Sequence, residues 1–168
     1  MLDILRRRRS IRKYKDKKIE PDLIDQLKEA ALRSPSSRGI GPWRFLFITE
    51  KARLGELSRS KEHGSAFLKG AALGVVVCAD EAESDVWIED CSIASIIMQL
   101  TGESIGLGSC WIQIRNRMHR NAMASEDFVR TVLNLSDSMR VESIIAFGYP
   151  DEELPPVPKE SLEYSKIL

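Results

Sequence analysis

The sequence predicts an α+β fold, and three observations carry that expectation. Four stretches rich in aliphatic, β-branched and aromatic residues read as strands. Segments with apolar residues at helical spacing lie among them without strict alternation. The chain then closes in a proline-rich tail through Pro155, Pro156 and Pro158, which is expected to run extended and to stay out of a central sheet.

Taken in order, Leu2, Ile4 and Leu5 suit a short opening helix whose last turn carries arginines, and Ser10 to Tyr14 is expected to leave it extended. Pro21 occupies a favoured first helical position, and Leu23, Ile24, Leu27, Ala30 and Ala31 recur at helical spacing after it. Ser34 to Gly39 ends that helix as a loop. Trp43 to Thr49 is the first strand, a helix follows from about Lys51 to Ser58, and Leu73 to Ala79 is a second strand buried on both faces. Val86 to Ser104 is the longest helical pattern and is apolar nearly all round. Both a central core helix and a helix facing a partner subunit fit that pattern. Gly106 to Ile112 turns into a third strand, Ser125 is the expected N-cap of a helix carrying Phe128, Val129, Val132 and Leu133, and Val141 to Phe147 is the fourth strand.

The 168 residues suit a single domain with a substantial core, and 43% hydrophobic with 30% charged residues matches an ordinary soluble globule. Formal net charge is zero, which argues against a general nucleic-acid binder. Cys78, Cys91 and Cys110 are odd in number, widely spaced and set in apolar stretches, as expected of reduced thiols in a cytoplasmic protein. With His63 and His119 the only histidines, and no cysteines or histidines paired at ligand spacing, zinc is not expected. The longest apolar run, Ala71 to Ala79, falls well short of the ~20 residues that span a bilayer, so no membrane association is expected.

Arg6 to Arg9, followed by Ser10, Ile11, Arg12, Lys13 and Tyr14, crowds guanidinium forks around one hydroxyl. Paired N–H donors with a neutral donor beside them match a phosphate. By itself such a run also fits a solvated face, a polyanion patch or an address tag. Gly106-x-Gly108 is not a dinucleotide fingerprint, because it lacks the third glycine and leads into a strand instead of opening a helix. There is no Walker loop and no Gly-x-Ser-x-Gly elbow. Because the chain has no separate nicotinamide-binding domain, any nicotinamide used in redox chemistry is expected to dock directly against another cofactor.

Four blocks in order resemble the nitroreductase family of FMN-dependent oxidoreductases. Arg8-Arg9-Ser10-Ile11-Arg12-Lys13-Tyr14 is similar to its Arg-Arg-Ser-x-Arg-x-Tyr/Phe opening. Ser34 to Phe45 is similar to its Pro-Ser-x-x-Asn-x-Gln-Pro-Trp-x-Phe segment. Gly106 to Trp111 is similar to the stretch beside the flavin in shorter members, and Gly148-Tyr149-Pro150 with Pro155 to Lys159 is similar to its closing elements. The resemblance implies a layered fold with a central, mainly antiparallel sheet flanked by helices and a C-terminal tail embracing the partner of a homodimer.

It also implies FMN at the subunit interface, with Arg8 and Ser10 on the phosphate, Arg9 in contact with the cofactor, and Arg12 near N1 and the C2 carbonyl of the ring. Lys159 would reach the phosphate. Ser36, Ser37 and Gly39 would approach the ring of the other subunit's site, and Leu107, Gly108 and Ser109 would pack beside the ring with a backbone N–H toward N5. Gly39 and Gly41 stand where the family often has Asn and Gln, and Val157 replaces a basic position. The implied activity is hydride transfer from NADH or NADPH through the flavin to a small acceptor such as a nitroaromatic or quinone, by a ping-pong scheme in which no side chain is catalytic. Dehalogenation, flavin degradation and a non-catalytic flavin-binding module are the alternatives.

Overall fold

A computed structural model describes residues 1–120 and 123–167. The helices are α1 (Leu2–Arg7), α2 (Pro21–Leu32), α3 (Lys51–Leu57), α4 (Trp87–Ser104) and α5 (Ser125–Leu133), and the strands are β1 (Trp43–Ile48), β2 (Leu73–Asp80), β3 (Gly108–Gln113) and β4 (Met139–Gly148). The strands form one sheet in the order β1-β2-β4-β3, and every pair is antiparallel. Among the described residues, no helix is long and apolar enough to cross a membrane.

Alternation along the central strands builds a core on each face of the sheet. Leu73, Val75, Val77 and Ala79 of β2, with Ile145 and Phe147 of β4, pack with Leu27 and Ala31 of α2 and Cys91 and Met98 of α4. Val76 and Cys78, with Ile144 and Ala146, pack with Leu54 and Leu57 of α3 and Val129 of α5. Both halves of β2 are therefore buried, as its unbroken apolar run implied. Gly74 is what lets α3 come so near the sheet, since a Cβ there would stand 2.8 Å from Leu54 Cδ2.

Two expectations change in detail. The N-cap of α5 is Ala124, in extended conformation, and Ser125 is the first residue of the helix with a fully buried side chain. No side-chain cap is needed because the Ser125 N–H donates to the Arg117 carbonyl at 2.9 Å. The tail is not continuously extended: single 3₁₀ turns interrupt it at Lys159–Ser161 and Tyr164–Lys166. It adds no strand to the sheet.

The segment after α1 positions the candidate site. It runs along the outer edge of β3, where Ser10 bridges Ser109 in parallel fashion and Tyr14 bridges Pro150. The Ile11 N–H donates to the Ser109 carbonyl, Lys15 N–H to Tyr149, and Asp151 N–H to Lys13, each at 2.9 Å. The extended Ser10 to Tyr14 stretch is thus tied to the start of the edge strand β3 at Ser109 and to the segment that follows β4.

Candidate functional site

Arg6 and Arg7 lie in the last turn of α1 and are neutralised, Arg6 by Asp3 at 3.0 Å and Arg7 by Glu103 at 3.6 Å. Arg8 then leaves the helix with φ −53° and ψ 125°, and from there the chain lies against β3. Arg8, Arg9 and Ser10 are half-buried. Among the described residues, Arg8, Arg9 and Arg12 form no ion pair, unlike the two arginines before them. Arg12 is exposed, but partly desolvated guanidinium groups such as those of Arg8 and Arg9 are costly without a carboxylate unless an anion joins them.

The positive field converges on the start of β3. Burial pushes the Cys110 thiol above its ordinary range, opposed by Arg12, by the Ser10 side chain, and by Arg8 and Lys61. Arg12 also lies over the ring of Phe67, 5.8 Å from its centroid. Burial, and then the nearby Arg117 charge, hold the Lys61 ammonium below its ordinary range. On the far side, one Glu152 carboxylate oxygen accepts the backbone N–H groups of Arg12 at 2.5 Å and Lys13 at 3.1 Å. The Arg12 N–H is the main reason that carboxyl titrates below its usual range. The result is a fixed backbone and a hydroxyl beside Arg8 and Arg12, whose charges both act on Cys110, a set suited to a phosphate and to an electron-rich ring edge.

A sequence profile described as the nitroreductase family matches residues 5–63 and 53–149. The chain belongs to the nitroreductase family. It is 31% identical over 90% of its length to a Methanothermobacter thermautotrophicus protein provisionally named an NADH dehydrogenase/NAD(P)H nitroreductase, covering 78% of that relative. The structure superposes with TM-score 0.98 on an FMN-dependent nitroreductase from Clostridium difficile R20291, at 43% identity, over 100% of this chain and 98% of that one. An iodotyrosine deiodinase from Thermotoga neapolitana is 24% identical over 96% of this chain and 95% of its own.

In this nitroreductase-family oxidoreductase, Arg8, Ser10, Arg12 and Ser109 come together. Other residues singled out from sequence take different places. Leu107 is buried in the core with Phe147, and its N–H donates to the Gly102 carbonyl at 2.8 Å. Gly108 has a structural reason to lack a side chain: a Cβ there would stand 2.9 Å from Cβ and Cγ1 of Ile11, so the close neighbour of this glycine is Ile11. Lys159 lines a groove with Leu2, Leu5, Arg6 and tail residues, and that groove contains neither Arg8 nor Ser10.

Ser36, Ser37 and Gly39 lie at the opposite end of α4. The Ser36 hydroxyl accepts the Gly41 N–H at 2.9 Å, and the Ser37 N–H donates to the buried Asp90 near the start of that helix at 2.9 Å. Arg38, Gly39 and Gly41 all have positive φ, 56°, 69° and 62°. Glycine costs nothing in that conformation, which accounts for Gly39 and Gly41 where the family often carries amides. Phe67, Lys61 and Glu152 are the neighbours of the corner that the sequence reading passed over. Lys61 and Phe67 flank a polar, Gly-containing stretch that has no hydrophobic period to flag them, and Glu152 matters through its contact with backbone 140 positions away.

Proposed function

We propose that this chain is an FMN-dependent oxidoreductase that takes hydride from NADH or NADPH and delivers it to a small acceptor such as a nitroaromatic or a quinone. The observation that carries this reading is the half-buried set Arg8, Arg9 and Ser10, with no carboxylate partner among the described residues, beside a backbone ladder and near Arg12 in sequence. The set fits FMN: Arg8 and Ser10 would hold the phosphate, Arg9 would add charge to that end, and Arg12 would serve the ring's pyrimidine edge. When bound, FMN supplies a two-electron carrier that takes up and releases hydride at N5. The protein's part is to bind, orient and bias. A fixed guanidinium at Arg12 favours the anionic charge that reduction places on the ring, and Phe67 under Arg12 limits how far that guanidinium can swing. Leu107, Gly108 and Ser109 contribute backbone at the ring. Proximity of donor and acceptor carries most of the rate, so one shared position serves both half-reactions in turn.

The reading includes a homodimer. The 18 residues of α4 span about 27 Å, with the Ser36 to Gly39 loop held at its start and Ser109 beyond its end. That loop can add to an Arg8–Ser10 corner only in a second subunit. Exposed apolar side chains on α1 (Leu2, Leu5), α4 (Ile93, Ile96) and the tail (Leu162, Tyr164) give a partner something to cover, with the tail and Lys159 reaching across. A cytoplasmic setting fits three cysteines that are all free and buried.

Purified protein is expected to be yellow and to bleach on anaerobic addition of NADPH or NADH, with parallel double-reciprocal plots across donor and acceptor. A colourless protein that takes up no FMN rejects the reading. The likeness to the deiodinase supports a second one, reductive dehalogenation of an aromatic on the same flavin. Halide release with slow turnover of nitroaromatics would favour that reading over the first.

A further inference from the structure

A cavity of about 450 Å³, within the size range of small-molecule sites, is lined in part by Lys61 and by Ala66 at the start of the turn that carries Phe67. Its lining includes Arg59, Lys61, Lys69, Arg120, His119 and Phe128, with Glu62 the one carboxylate present. Among the described residues, none of these four cations forms an ion pair, whereas Arg53 and Arg140 elsewhere do. The His119 ring stacks on Phe128 at 4.1 Å between centroids and 19° between planes, which gives the cavity a flat aromatic wall. Among the described residues, the buried His119 Nδ1 has no hydrogen-bond partner.

The cavity adjoins the flavin corner through one short turn, Ala66–Gly70: Ala66 lines the cavity while the next residue, Phe67, carries Arg12. Lys61 belongs to both, since it lines the cavity and its charge is felt at Cys110.

We infer that this cavity receives the adenosine end of the hydride donor, with Arg59, Lys61 and Lys69 on a 2′-phosphate and the His119–Phe128 wall under the purine, so that the enzyme selects NADPH over NADH. The inference deepens the flavin reading and rests on it for the nicotinamide end. A phosphomonoester bears close to two negative charges at neutral pH, and three or four cations around one carboxylate answer it. It would also relieve the mutual repulsion of Lys61 and Arg117. A purine finds a π-face in an imidazole stacked on a phenyl ring.

The test is calorimetric titration of the full-length, FMN-saturated protein with adenosine 2′,5′-bisphosphate and with adenosine 5′-monophosphate at one ionic strength. The bisphosphate is expected to bind about 10- to 100-fold more tightly, as one or two charge-assisted bonds imply. The double substitution Arg59→Gln with Lys69→Gln should reduce that preference below about 3-fold. Glu62→Gln, a change at an exposed position that spares the fold, should enlarge it.

Equal affinity for the two nucleotides overturns the inference. So does a preference that survives the double substitution, or a bisphosphate that binds by displacing FMN, which would place it on the flavin's own phosphate site. Flavin fluorescence measured on the same samples keeps the outcomes apart. A protein that takes up no FMN yet distinguishes the nucleotides fails the flavin reading alone, whereas a flavin-bound protein that does not distinguish them fails only this inference.

Discussion

Arg8 and Ser10 carry the phosphate assignment, and their removal separates it from a generally basic surface. Charge-assisted hydrogen bonds contribute about 1.5–3 kcal/mol each. Arg8→Ala with Ser10→Ala should therefore raise the FMN dissociation constant by about 100-fold or more, measured by quenching of flavin fluorescence. An unchanged constant would move the phosphate elsewhere. Gly108→Ala tests the reason found for that glycine. The new Cβ meets the β-branched end of Ile11 at 2.9 Å, on a backbone already bonded through Ser109, so the strain has no flexible side chain to absorb it. Overpacking of this kind costs about 1–3 kcal/mol, and the melting temperature should fall with the flavin affinity. The sequence marks Gly108 as a site of close approach, and the structure supplies the neighbour: Ile11, four places after Arg7 in the basic run itself. Which atom fills a glycine's missing volume is a tertiary fact that no local spacing encodes.

At the scale of elements, apolar period and composition located the five helices and four strands, most of which bury one face or two around the sheet, although α1 buries no residue. The ends were less legible. β4 starts at Met139, two residues before its aliphatic run, because Arg140 and Val141 are held by Glu126 of α5. Glu126 accepts Arg140 at 3.2 Å on both oxygens and the Val141 N–H at 3.0 Å, which ties the start of β4 to α5.

The next residue of β4, Glu142, is less well served. Its Oε2 is buried without a partner among the described residues, while Oε1 lies 3.4 Å from Gln113 Nε2. Burial is the main cause that raises its carboxyl above the ordinary range. A folded-state acid that binds its proton more tightly than the unfolded chain loses stability as pH climbs from the usual carboxylate range through the raised value. Glu142→Gln imitates the protonated form. It should raise the melting temperature at neutral pH, and its advantage over the parent should shrink toward pH 4, where the parent is protonated in both states. An advantage that does not vary with pH would assign the gain to packing instead.

For the whole molecule, the question the sequence left open was whether the long apolar helix is central or faces a partner. The structure places Cys91, Ala94, Ser95 and Met98 of α4 in the interior while Ile93 and Ile96 remain 39% and 40% exposed. Both descriptions therefore hold for different faces of one helix, which is why period alone could not choose between them. The homodimer proposed here gives the exposed face its purpose, since a helix in contact on one side with its own sheet has its other side free for a second copy. It also joins the two halves of the candidate site: the Ser36 to Gly39 loop and the Arg8–Ser10 corner sit at opposite ends of α4.

Assembly and cofactor binding should consequently fail together. Ile96→Asp puts a charge at the centre of that face without touching Arg8, Ser10, Arg12 or the core. Light scattering after size exclusion should show it as a monomer that retains its far-ultraviolet dichroism and no longer holds flavin through the column. A variant that remains dimeric and yellow would mean that α4 is not the joining face. A monomer with full flavin affinity would mean that one subunit's corner holds the cofactor alone, and that the Ser36 to Gly39 loop serves only to tie α2 to the start of α4.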